Sequence, residues 1–134
     1  MIGDRALAAF LHARYDEQEK LATQAATESP TPWWRGDKYG VRSDRPDDCQ
    51  IYDATDDVVI YDEGDPGPAV VAYIVEHGPD AALADIEAKR KVLWLTEGGI
   101  NSDSGAVRLH VTWTLRALAS QFSRHPDYQK EWTP

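Results

Sequence analysis

The sequence predicts an α+β, α-dominant fold: about four helices, with a small antiparallel β-hairpin between the first and second. Three observations predict it. Apolar residues recur at helical spacing near the N-terminus and through the second half. Two β-branched and aromatic runs, Gln50–Asp53 and Val58–Asp62, flank the polar stretch Ala54–Asp57, as in a hairpin. Proline and glycine punctuate the joins at Pro30 and Pro32, at Gly64 to Pro68, and at Gly78-Pro79. The 134 residues read as a single domain, divided into an N-terminal helix (1–28), an acidic hairpin region (33–63), and a helical part with a C-terminal tail (66–134).

The first helix is expected from Asp4 to Thr27, with Asp4 as N-cap and Leu7, Phe10, Leu11 and Leu21 as its apolar stripe. Pro30 and Pro32 end it. Trp33 and Trp34 follow. Adjacent strand residues face opposite ways, so at most one of the two belongs to a core side. Two strands alone are marginal in water, so the hairpin should lie on a helix, with a third strand around Trp33.

A second helix should run from Pro66 to His77, capped by Asp65, with Val70, Tyr73, Ile74 and His77 on one face. Gly78 is placed for a left-handed stop. The third spans Asp80 to Thr96 on Leu83, Ile86 and Leu93, and Val92, Trp94 and Leu95 point to a last turn enclosed by other elements. Glu97 to Gly105 is a loop. The fourth helix, Ala106 to Ser123, carries Val111, Leu115, Leu118 and Phe122, and Trp113 lies off that line. Tyr128 and Trp132 are placed to pin the tail back.

Charge is concentrated. Asp44, Asp47, Asp48, Asp53, Asp56, Asp57, Asp62, Glu63 and Asp65 fall in one stretch with a single base, Arg45, in a chain of net charge −9. A field of one sign faces water, a cation or a basic partner. It argues against direct binding to a nucleic-acid backbone or an anionic membrane. The one cysteine, Cys49, permits no disulfide within the chain and reads as a reduced thiol in a strand. The N-terminus is amphipathic rather than signal-like, which points to a cytoplasmic protein.

Catalytic patterns are thin. His12, His77, His110 and His125 show no metal-binding spacing. A site built from His77, His125 and Asp127 is the alternative to capping and tail-anchoring roles. Asp53, Asp56 and Asp57 lack the alternating oxygens and distal Glu of a calcium loop and read as a solvated hairpin end. Glu97-Gly98-Gly99-Ile100 carries no Lys followed by Ser or Thr and is no phosphate cradle. Lys89-Arg90-Lys91 spreads around its helix rather than forming a patch.

Several pieces together carry a resemblance: Tyr61-Asp62-Glu63-Gly64, Ile74-Val75-Glu76-His77-Gly78-Pro79-Asp80, Ile86 to Leu93, Thr114 to Ala119, and His125 to Trp132. Their order and spacing resemble a family of small actinobacterial and actinobacteriophage proteins classed as a domain of unknown function. The resemblance implies no activity to carry over. It implies an accessory protein, of phage or phage-like origin, that binds a host factor. Members with cysteines before the last helix differ from this chain, which has none there.

The reading is therefore a non-enzymatic protein-interaction module with no cofactor and no metal, meeting a basic or DNA-binding protein. Its surface is Trp33, Trp34, Asp47, Asp48, Asp53, Asp56, Asp57, Asp62 and Glu63, with a tryptophan as the buried anchor. The alternatives are an acidic nucleic-acid mimic that inhibits a DNA-binding protein and a small metal-dependent hydrolase. Self-association through the Val92–Leu95 face is a further expectation.

Overall fold

A computed structural model describes residues 2–61 and 66–134. Asp62, Glu63 and the expected cap Asp65 lie outside the described residues. In chain order the elements are α1 (Ile2–Glu28), β1 (Trp34–Gly36), β2 (Gln50–Tyr52), β3 (Val58–Ile60), α2 (Pro68–Glu76), α3 (Pro79–Glu97), α4 (Gly105–Ser120) and a short 3-10 turn (Lys130–Trp132). This is the α+β arrangement of four helices and a small antiparallel sheet, with a third strand at Trp34. Among the described residues no helix is long and apolar enough to cross a membrane.

The chain divides into two compact units, each with its own core. A helical unit comprises Met1–Gln18 with Asp85–Pro134, and a sheet unit comprises Glu19–Ala84.

In the helical unit, Leu7, Phe10, Leu11 and Tyr15 from α1 meet Ile86 and Leu93 from α3 and Val111, Leu115 and Ala119 from α4. Trp132 closes this core, with Leu118, Phe122 and Tyr128 packed against it. The tail is thus pinned back by the two aromatic residues the sequence marks for it. Phe10 is the hub, with Phe122, Tyr128 and Trp132 rings at 6.1, 6.2 and 5.0 Å. Aromatic clusters of this kind add to plain area burial. The segment after α3 folds through successive turns, with Gly99 N–H donating to the Thr96 carbonyl and Ser102 N–H to the Gly99 carbonyl. A Cβ on Gly99 would stand 2.7 Å from Val111 Cγ2, so only glycine lets this turn reach α4. Ser104 caps α4, its side chain accepting from Val107 N–H.

In the sheet unit the strand order is β1-β2-β3, antiparallel throughout, with Trp34 opposite Tyr52 and Ile51 opposite Ile60. α2 packs on β1 and β2. Cys49, Ile51 and Val71 form the core, flanked by Trp33, Val59, Ile60, Ile74 and Val75.

Several expectations are corrected. Asp4 is no cap: it lies inside α1, buried, and accepts from the Thr112 hydroxyl at 2.8 Å. Leu21 is 70% exposed, because it lies beyond the stretch of α1 that the helical unit covers. In α2 the buried residue is Val71, while Val70 and Tyr73 face water. Gly78 lacks the left-handed conformation; Gly40 has it, at φ 81°. Val92, Trp94 and Leu95 are exposed rather than enclosed, Trp94 by 71%. α4 ends at Ser120, and Ala119 rather than Phe122 completes its fully buried row.

Candidate functional site

The acidic hairpin is built around one carboxylate turned back onto its own turn. Asp53 follows β2 and is only 2% exposed. Its Oδ1 accepts from the Thr55 hydroxyl at 2.7 Å, from Thr55 N–H at 2.8 Å and from Asp57 N–H at 3.1 Å. The Thr55 hydroxyl first, and the two backbone donors with it, hold the carboxyl below its ordinary pKa against the opposing effect of burial. Asp53 is therefore not the solvated hairpin carboxylate that the sequence leads one to expect. It is an internal Asx-type brace that fixes the turn.

That brace sets the conformation of its neighbours. Asp56 takes a positive φ of 67°, a conformation Asp tolerates better than most residues, and donates its N–H to the Asp53 carbonyl. Asp56 and Asp57 are exposed, and among the described residues neither is paired with a Lys or Arg. Elsewhere in the acidic segment, Asp47 is exposed and sits 3.5 Å from Arg45. Asp48 is half-buried, its side chain accepting from the Ser43 hydroxyl and its carbonyl from Arg35 Nε.

Both tryptophans are half-buried and committed to the unit's own packing. Trp33 Nε1 donates to the Ser29 carbonyl, and its ring packs on the Ile51–Val71 core. Trp34 stacks on Tyr52 at 4.5 Å and 18°, and its Nε1 donates to the Asp53 carbonyl at 2.8 Å. A Cβ on Gly36 would stand 2.7 Å from the Trp34 ring and 2.9 Å from the Tyr52 ring, so glycine is required beside this stack. Arg42 lies over Trp34 at 5.6 Å. Pro32, Trp34, Gly40, Arg42, Ala54 and Asp56 line a shallow concavity of about 360 Å³. Tyr39, 80% exposed, and Tyr61 are exposed aromatic residues of this unit beside Tyr73 of α2. No sequence signal distinguishes these tyrosines from core ones.

The histidines divide between the units. In the sheet unit, His77 stacks on Tyr73 at 4.1 Å and its Nδ1 contacts the Tyr73 carbonyl. In the helical unit, His125 and Asp127 meet around Arg14, a buried guanidinium that also donates to Glu17 at 2.9 Å. Asp127 N–H donates to His125 Nδ1, and Arg14 also contacts Nε2 of the same ring. This arrangement anchors the tail to α1. Among the described residues no three His, Cys, Asp or Glu side chains are grouped to hold a metal.

A second concavity, of about 370 Å³, lies in the helical unit between α1 and the turn after α3. Arg5, Ala8, Ala9, His12, Glu97, Ile100 and Asn101 line it. His12 Nε2 meets Glu97 Oε1 at 2.7 Å, and Arg5 donates to Asn101 Oδ1 at 3.1 Å. Sequence reasoning gives His12 no role, because its partner lies 85 positions away.

Compared with known proteins, residues 4–134 match the model of DUF6221, a family of unknown function. Neither the curated proteins nor the solved structures include a match.

Proposed function

Because the chain belongs to DUF6221, whose function is unknown, we propose a reading from its own geometry: a protein-interaction module whose sheet unit meets a basic partner. The observation that carries it is the turn after β2. Asp53 gives up its own exposure to hold Asp56 and Asp57 outward, without a Lys or Arg partner among the described residues. A turn whose backbone is held before contact loses less conformational entropy on binding. Charge of one sign speeds encounter with a partner of the other and makes it salt-sensitive. The anchor shifts from the tryptophans, which pack within the unit, to the exposed Tyr39 and Tyr61. Tyrosine is well suited to such a role, presenting a broad ring and a polar tip.

The test is affinity capture with the intact chain, compared with Asp56→Asn/Asp57→Asn and with Tyr39→Ala. Loss of the captured protein with both variants, and its elution by moderate salt, supports the reading. Retention at full yield by the Asn double variant overturns it.

A further inference from the structure

We propose that the concavity between α1 and the α3–α4 turn binds a small organic oxyanion that also carries a hydrogen-bond donor. The argument starts from helix geometry. Arg5 and His12 are seven positions apart on α1, so they share one face two turns apart, with a rise of about 10 Å between them. Ala8 and Ala9 lie between them and leave room that larger side chains would fill. Ile100 closes the floor, buried in the unit's core. The volume of about 370 Å³ suits a small-molecule ligand.

The two ends differ in chemistry. At one end, Arg5 is oriented by its bond to Asn101 Oδ1. This leaves the other guanidinium N–H groups and the Asn101 amide N–H groups without partners among the described residues. That set offers donors only, and a planar guanidinium fork matches a carboxylate or phosphate. At the other end, His12 Nε2 is engaged by Glu97 Oε1, while His12 Nδ1 and the second Glu97 oxygen have no partner among the described residues. Glu97 can only accept when ionised, so this end calls for an amine or hydroxyl. The site thus has the polarity of a ligand with an anion at one end, a donor at the other and a short apolar body.

Nothing in this site involves the acidic sheet surface, so the two proposals stand or fall separately. The probes are γ-aminobutyrate, butyrate and inorganic phosphate, each titrated into the intact chain and followed by amide NMR. The expected result is saturable shifts at Ala8, Ala9, Ile100 and Asn101 with γ-aminobutyrate, and weaker binding of butyrate, which lacks the donor. Arg5→Gln should weaken both by about tenfold. Glu97→Gln should bring γ-aminobutyrate down to the level of butyrate and leave butyrate unchanged. Phosphate binding that shifts Asn101 and is lost with Arg5→Gln assigns the anion end to phosphate as well; its failure, with carboxylates bound, assigns it to carboxylates. Arg5 is exposed and Glu97 half-buried, and the amide spectrum of each variant reports directly whether the fold is kept. The proposal is overturned if no probe gives saturable shifts at these residues, or if binding survives Arg5→Gln undiminished.

Discussion

In the helical unit, Leu7, Leu11, Leu93 and Leu115 are almost wholly removed from water, alongside an aromatic cluster centred on Phe10. In the sheet unit the buried hydrophobic side chains among the described residues are Ala22, Cys49, Ile51, Tyr52 and Val71, and the loops are fixed by polar groups. Asp53 braces one turn. Asp37 Oδ1 holds another by accepting from Tyr39 and Val41 N–H, and the buried Tyr52 hydroxyl donates to the Asp37 carbonyl while receiving Gln50. Area burial stabilises the first unit without fixing fine geometry. Directed hydrogen bonds hold the second in a specific shape with little apolar surface. Exposed charged residues contribute nothing to a core, so a turn rich in them relies on the second kind of support.

Substitutions can break this contrast, and the largest effect belongs to the helical unit. Leu115→Ala should cost about 2–5 kcal/mol of stability, from lost burial and the cavity left behind. Urea unfolding is the measurement, and a cost below 1 kcal/mol would mean that the core is loosely packed. Asp53→Ala should cost less than Leu115→Ala, because the Thr55 and Asp57 N–H groups that lose their acceptor lie on exposed residues and can turn to water. Its signature is local: the Trp34 indole N–H resonance, held by the Asp53 carbonyl, should shift while resonances of Phe10 and Trp132 stay in place. A uniform shift across both units would erase the distinction drawn between them.

The smallest effect is acid dependence. The Asp53 pKa is lowered in the folded state, so its contribution is present above the unfolded carboxyl pKa and is lost as pH falls through the folded one. Urea unfolding of wild type and Asp53→Asn should therefore differ at neutral pH and converge in strong acid. A gap that stays constant with pH would show that the charge of Asp53 does not matter to the turn.

Much of the fold was legible because helical periodicity and Pro-Gly punctuation mark element boundaries directly. The third strand at Trp34 followed from the need of a hairpin for support. Which face is covered was less legible. Trp94, Leu95 and Leu21 look like core residues by type, yet periodicity reports a side chain's direction and not whether anything lies opposite it. Within the acidic segment, nine carboxylates look alike to a charge count. Asp53 was nevertheless findable: Asp-x-Thr-x-Asp is the spacing of a side chain that caps its own turn. The Arg5–His12 and Glu97–Asn101 concavity had no local signal at all, since its two halves join only through folding.

Arg14 carries one more consequence. Its guanidinium is buried with Nε unpartnered among the described residues, while the carboxylates that neutralise it, on Glu17 and Asp127, remain mostly in water. Dissolved ions can compete for those two carboxylates but not for the rings around Phe10. Ionic strength should therefore tune how firmly His125 and Asp127 are clasped to α1, and leave the aromatic seat of Tyr128 and Trp132 untouched.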